Sequence, residues 1–283
     1  MTRRMGDVSL TLLNGGDFRL DGGAMHGVVP KTVWSRLVSC DDKNRCTYST
    51  NCLLVETAGR RVLVETGNGD KFPAKEKEIY GIDHDRAIGP ALAELGVEPD
   101  SIDVVVMTHL HFDHSGGTTR RLPSGELAPV FPRARHVIQR KELEAALHPH
   151  ERNRASYLPE NFAPLVAAGL VDLADGETEI APGVRVLPSP GHTPGHQSVL
   201  IDGGNGEHAL FLGDVIPTSV HVRLPWVMAY DLDVETTLRS KRTLIDRAID
   251  GKWLVLWGHD QKPAGRLRRD DKGQAIVDTF EEM

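Results

Sequence analysis

The chain has 283 residues, 40% of them hydrophobic, and its 33 basic and 40 acidic residues leave a formal net charge of −7. Apart from Arg266, Arg268 and Arg269 the basic residues are scattered, so no basic stripe exists along which a nucleic acid could run. No segment approaches the ~18 consecutive apolar residues of a membrane helix, and MTRRMGDVSLTLL lacks the apolar core and cleavage site of a signal peptide; a cytoplasmic α/β protein without nucleic-acid or membrane partners, one domain over residues 1–283, is expected.

Short stretches rich in Val, Leu and Thr predict strands at Ser9–Leu13, Thr50–Thr57 and Arg61–Glu65, the last two joined by an Ala58-Gly59-Arg60 turn. Apolar residues at helical spacing from Ala87 to Leu95 end at Gly96, and a buried strand follows at Ile102–Met107. A strand at His136–Gln139 leads into a helix at Arg140–Leu147 that stops before Pro149. Strands at Val184–Leu187, Ser198–Ile201 and Ala209–Leu212, a helix at Val234–Ile249 and a strand at Trp253–Trp257 complete the set. Strands interleaved with helices in both halves predict two sheets packed face to face with helices outside, a four-layer αββα sandwich. Gly15–Asp42 and Asn68–Asp85 carry no clear period and are expected to be pocket walls or lids, or plain surface loops. Cys40, Cys46 and Cys52 form no CxxC pair and are odd in number, so reduced, partly buried thiols are expected.

The densest chemistry follows the apolar stretch Ile102–Met107. The run THLHFDHSGG, Thr108 to Gly117, sets His109, His111, Asp113 and His114 within six residues. Side chains at i and i+2 of an extended or turning backbone point the same way, so His109 and His111 are placed to share one ion while Asp113 and His114 face a second. Imidazole and carboxylate at this density suit borderline divalent ions, zinc first, whereas magnesium and calcium sites are built mainly from oxygen. Three more candidates follow strands: Val184–Leu187 runs into SPGHTPGH with His192, Ala209–Leu212 ends in Gly213-Asp214, and Leu254–Trp257 ends in Gly258-His259-Asp260. Strand ends are held rigidly while the loops after them can be shaped to a ligand.

This ordered set, HxHxDH and then His, Asp and His, resembles that of the metallo-β-lactamase superfamily, and the resemblance spans residues 109–259. It implies His109, His111 and His192 on one metal, Asp113, His114 and His259 on the other, and Asp214 bridging both. His196, in the same GHTPGH turn, matches a position outside the ligand set and is expected to support the structure around it. His84, His136, His148, His150 and His208 lie in polar or terminal contexts and are expected to be solvated. His26 and His221, both in loops, are candidate pocket residues.

Such a centre implies hydrolysis. Two divalent ions, zinc first with iron, manganese or cobalt as alternatives, would supply a bridging hydroxide near neutral pH, and Asp113 would take the proton of the attacking water and pass it to the leaving alkoxide. His111 stands where flavodiiron relatives carry glutamate, and the full dinuclear set differs from that of mono-iron thiol-linked dioxygenases, so a redox reading is disfavoured. The segments DGGAMHGVVPKTVW (Asp21 to Trp34) and GDVIPTSVHVRLPWVMAYDLDVETT (Gly213 to Thr237) resemble those of the quorum-quenching lactonase branch and, more distantly, the methyl parathion hydrolase type. The resemblance implies N-acyl homoserine lactones or related lactones as substrates, and a homodimer. Met25, Phe112, Trp226 and Met228 would form an apolar wall for an acyl chain, with His26 and His221 as polar contacts; core packing is the competing expectation for each. Lactonases carry a tyrosine three residues after the bridging aspartate, where it touches the substrate carbonyl, but here that position is Pro217, and Tyr230 is the tyrosine available nearby. An organophosphate triesterase, a broader esterase or a thioester hydrolase therefore stays open, as does a non-catalytic regulator that keeps the metals and binds a ligand.

Overall fold

The computed structural model describes residues 2–82 and 86–283, and its core is two seven-stranded sheets packed face to face. The first sheet contains β1 (Thr2–Met5), β2 (Val8–Asp21), β3 (Arg45–Thr57), β4 (Arg60–Val64) and β5 (Val104–Val106). After a separate two-stranded ribbon of β6 (Thr119–Arg121) and β7 (Leu127–Pro129), it is completed by β8 (Arg135–Gln139) and β9 (Val171–Ala174). Its spatial order is β1-β2-β3-β4-β5-β8-β9, antiparallel up to β4 and parallel from β4 onward. The second sheet runs in chain order through β10 (Thr178–Ala181), β11 (Val184–Pro188), β12 (Gln197–Asp202), β13 (His208–Phe211), β14 (Leu254–Leu256), β15 (Ala264–Arg269) and β16 (Ala275–Phe280). Only the β13/β14 pair is parallel, because the helix Val234–Asp250 crosses over between them.

Successive strand residues face opposite sides of a sheet, and here both sides are covered. Val62 and Val64 of β4, Val104 and Val106 of β5, Ala209 and Phe211 of β13, and Leu254 and Leu256 of β14 meet in the layer between the sheets. The residues between them point outward. Leu63 and Val105 pack under Ile88 and Leu92 of the helix Ile88–Glu94 and Leu143 of the helix Arg140–Leu147, while Leu210 and Val255 pack under Leu244, Ile245 and Ala248 of the helix Val234–Asp250. The four-layer αββα arrangement follows from this two-sided burial.

Several elements depart from the sequence reading. Strand β2 runs on to Asp21 because Gly15 and Gly16 are absorbed as a bulge against β3, with Asn14 Oδ1 accepting the Gly16 N–H at 2.7 Å, rather than ending the strand. The remainder of the patternless stretches carries short helices at Gly22–His26, Lys31–Trp34 and Ala74–Tyr80. The expectation of three reduced thiols is corrected: Cys40 and Cys46 are bonded as a disulfide and only Cys52 is free, buried in the core. Cys40 and Cys46 face each other across a hairpin whose turn is held by Asp41 Oδ1, which accepts the Lys43 and Arg45 N–H groups. That pairing depends on the turn, not on a short cysteine motif. His136 is also corrected, being fully buried in β8 with neither ring nitrogen hydrogen-bonded by a side chain, and burial holds its pKa down to about 4, so the ring is neutral. His84 lies outside the described residues.

Candidate metal centre

Four strand ends open on one edge of the sandwich. After β5, the Thr108 N–H is fastened to Glu65 Oε1 at 2.8 Å, and the chain turns through His109 to His111, which caps the one-turn helix Phe112–Ser115 carrying Asp113 and His114. After β11, the turn reaches His192 past Gly191, whose φ is +134° and where an added Cβ would lie 2.3 Å from the Thr237 nitrogen. After β13 comes Gly213, at φ +59°, and then Asp214; after β14, His259 is fixed by its N–H to the Pro217 carbonyl at 2.9 Å.

Two groups of donor atoms converge there. His109, His111 and His192 form one, and Asp113, His114, Asp214 and His259 the other, with the donor atoms of each group within 4.8 Å of one another. The Asp214 carboxylate spans them: Oδ2 lies 3.4 Å from His192 Nε2, while Oδ1 lies 3.3 Å from His114 Nε2 and 3.0 Å from His259 Nε2. Asp113 Oδ2 lies 3.4 Å from His259 Nε2. All seven side chains are buried.

The donor set fits divalent cations on the structure's own terms. His192 Nδ1 is paired with Asp231 Oδ1 at 3.0 Å, and His259 Nδ1 donates to the Ser49 carbonyl at 2.8 Å, which leaves the Nε2 lone pairs facing inward. Those lone pairs meet other imidazole nitrogens, His111 Nδ1 and His114 Nε2, each at 3.1 Å. His109 Nε2 and Asp214 Oδ1 are buried without a hydrogen-bond partner. Buried acceptors crowded together without donors call for positive charge between them. Burial first, and then the surrounding imidazoles, holds His109 and His111 well below the usual histidine range. Burial also opposes charge on His114, His192 and His259, but the Asp214 carboxylate outweighs it and holds these three above that range, so the carboxylate draws to the Nε2 atoms a positive charge, which a proton supplies when no cation is bound and a cation supplies in its place.

A surrounding shell fixes the donors. His196 stands outside both groups, its Nε2 accepting the Asp214 N–H at 2.9 Å and its Nδ1 lying 3.1 Å from the Ser189 carbonyl oxygen. Glu142 was not singled out in the sequence, because a charge on an amphipathic helix reads as a solvated face. Fully buried, it accepts from the Leu110 N–H at 2.9 Å, the Tyr157 hydroxyl at 3.0 Å and the Thr193 hydroxyl at 2.6 Å, bracing the His109–His111 loop against the His192 turn. Burial pushes its pKa up.

A cavity of about 170 Å³ opens over the two groups. Met25, Phe112, Met228 and Tyr230 line it, as do Leu20, Tyr80, Arg152, Ala155 and Ser156, which carry no sequence signal of their own. His26, His221 and Trp226 are absent from this lining, a correction to the expected polar contacts and apolar wall. His26 stacks between Trp34, at 4.9 Å between ring centroids, and His221, at 5.2 Å, with Trp226 edge-on at 5.7 Å. Flat imidazoles among indoles make a packed layer behind the wall that Met25 completes.

The family model described as the metallo-beta-lactamase superfamily matches residues 47–259. An N-acyl homoserine lactonase from a Bacillus species is 31% identical over 219 residues, covering 74% of this chain and 80% of that protein. A solved structure from Staphylococcus aureus, described as a "probable metal-dependent hydrolase", superposes with a TM-score of 0.89 at 32% identity over 99% of both chains. An N-acyl homoserine lactone hydrolase solved with its product N-hexanoyl-L-homoserine at the catalytic metal centre superposes with a TM-score of 0.70 at 26% identity, covering 92% of this chain and 95% of that one. With a family match over most of its length, and both sheets and both donor groups in place, the chain belongs to the metallo-β-lactamase superfamily.

Proposed function

We propose that the protein is a dinuclear metal-dependent hydrolase of ester bonds whose preferred substrate is a lactone of the N-acyl homoserine type, so that its activity is quorum quenching. The observation that carries this reading is the Asp214 carboxylate, with one oxygen toward each donor group, beneath a cavity walled largely by apolar side chains. Of the cations available to such sites, zinc suits five imidazoles and two carboxylates best. Two such cations, when bound, would supply Lewis acidity toward the substrate carbonyl and an activated water.

The chain's own residues do the rest. Leu20, Met25 and Met228 hold the start of an acyl chain and exclude water from one side of the ring. Asp113 faces the cavity, and its free carboxylate oxygen takes up the proton released as water adds to the carbonyl and returns it to the departing alkoxide. Tyr230 does the work that Pro217 cannot: burial first, then Asp113, pushes its hydroxyl up to about 12, so it stays protonated and donates to the substrate carbonyl oxygen. The cavity is smaller than the roughly 300–1,000 Å³ of ordinary ligand pockets, which suits a lactone ring with the remainder of the acyl chain passing out over the rim.

A panel of lactones, linear esters, thioesters and phosphotriesters, run on protein of measured metal content, tests this. The highest kcat/KM is expected on the homoserine lactones, with a loss of about 100-fold or more in Asp214→Asn. A higher value on phosphotriesters, or no turnover of any of them by metal-loaded protein, would overturn the reading.

A further inference from the structure

The cavity is too small to enclose a whole acylated substrate, so the part remote from the scissile bond must pass its rim, and Arg152 stands there. It lies between the helices Arg140–Leu147 and Pro159–Ala167, lines the cavity beside Ala155 and Ser156, and is solvent-exposed. A guanidinium presents five N–H donors. Nη2 of Arg152 donates to the backbone carbonyls of Ala229 and Asp231, the latter at 3.0 Å, which ties the head to the segment carrying Met228 and Tyr230. Among the described residues no acceptor meets Nε or Nη1, and no carboxylate lies within the 4.0 Å of an ion pair.

A cation held in place by two carbonyls, with its remaining donors open beside a cavity, has lost much of the freedom that binding would otherwise cost. Its natural partner is an oxyanion, whose two oxygens match the guanidinium fork and whose full charge adds a Coulomb attraction that an amide or ester carbonyl does not offer. We propose that Arg152 anchors the substrate and that the site takes esters or lactones bearing a carboxylate at the end of the acyl portion remote from the scissile bond. The inference rests on the ester-hydrolase reading above and narrows its substrate class. Arg152 selects what is held and takes no part in proton transfer.

The test is steady-state kinetics on metal-loaded protein with phenyl half-esters of dicarboxylic acids of graded length, each beside its neutral methyl-capped counterpart. The native protein should prefer the free acid by about tenfold or more in kcat/KM at one chain length, mainly through KM, and the preference should shrink as salt is added. Arg152→Gln should abolish the preference, bringing the kcat/KM ratio of acid to neutral ester to within about threefold of unity whatever happens to the absolute rates, and Arg152→Lys, which keeps the charge without the fork, should keep part of it. Equal rates on both members of each pair, a preference that survives in Arg152→Gln, or an equal slowing of both members would overturn the anchoring role, the last showing a loop tether only. Hydrolysis of neither member by the native protein would instead overturn the hydrolase reading itself.

Discussion

Asp231→Asn is a one-atom change whose effect follows from the geometry. Asp231 is buried, with Oδ1 3.0 Å from His192 Nδ1 and Oδ2 accepting the Met228 N–H at 3.2 Å. An amide in its place has one acceptor oxygen and one donor nitrogen. If the oxygen faces His192, the NH2 group meets the Met228 N–H donor to donor. If the NH2 faces His192, the imidazole must take the other tautomer, with its proton on Nε2 where a cation is to bind. Either arrangement forfeits a buried charge-assisted hydrogen bond, about 1.5–3 kcal/mol. The outer partner of a metal-bound histidine typically governs a 10–100-fold range of metal affinity, about 1.4–2.7 kcal/mol, which agrees. Chelator competition with zinc, resolving two binding events, should therefore show one event weakened by about 10–100-fold and the other changed by no more than about threefold. Unchanged affinity in both events would refute the role given to His192, and equal weakening of both would show general loosening instead.

Three further outcomes are expected. Glu142→Leu leaves the Leu110 N–H and the Tyr157 and Thr193 hydroxyls without their acceptor, and at about 1–3 kcal/mol each the urea-unfolding free energy should fall by about 3 kcal/mol or more, with Glu142→Gln losing less; a loss under about 1 kcal/mol would contradict the brace. Gly213→Ala forces a side chain at φ +59° and puts Cβ 2.6 Å from His196 Nε2, breaking the bond that seats the Asp214 backbone, so metal retention after dialysis should drop along with about 1–2 kcal/mol of stability. Thiol titration under non-reducing, denaturing conditions should find Cys52 alone reactive, and reducing the Cys40–Cys46 bond, whose cysteines are six residues apart, should lower stability by about 2 kcal/mol without releasing metal. Three reactive thiols before reduction would contradict the disulfide.

The sequence exposes what is encoded locally. His109, His111, Asp113 and His114 share one short run after a strand that is apolar throughout, and Gly213-Asp214 and Gly258-His259 each mark a strand end, so both the donor set and the alternating layers around β4, β5, β13 and β14 are readable from spacing. What is encoded by long-range contact is not readable. Leu20 and Tyr80 arrive at the cavity from stretches without a period, Glu142 turns inward from a helix whose charges suggest solvent, and the Cys40–Cys46 pair depends on a turn. His26 and His221 mislead for a physical reason: a neutral imidazole packs as a flat aromatic among tryptophans as readily as it serves a site.

The most direct test of the centre is anomalous diffraction at the zinc absorption edge from crystals of the zinc-loaded protein. Two peaks are expected, one among His109, His111 and His192 and one among Asp113, His114 and His259, with the Asp214 carboxylate between them. A single peak, or two peaks away from these side chains, would contradict the account.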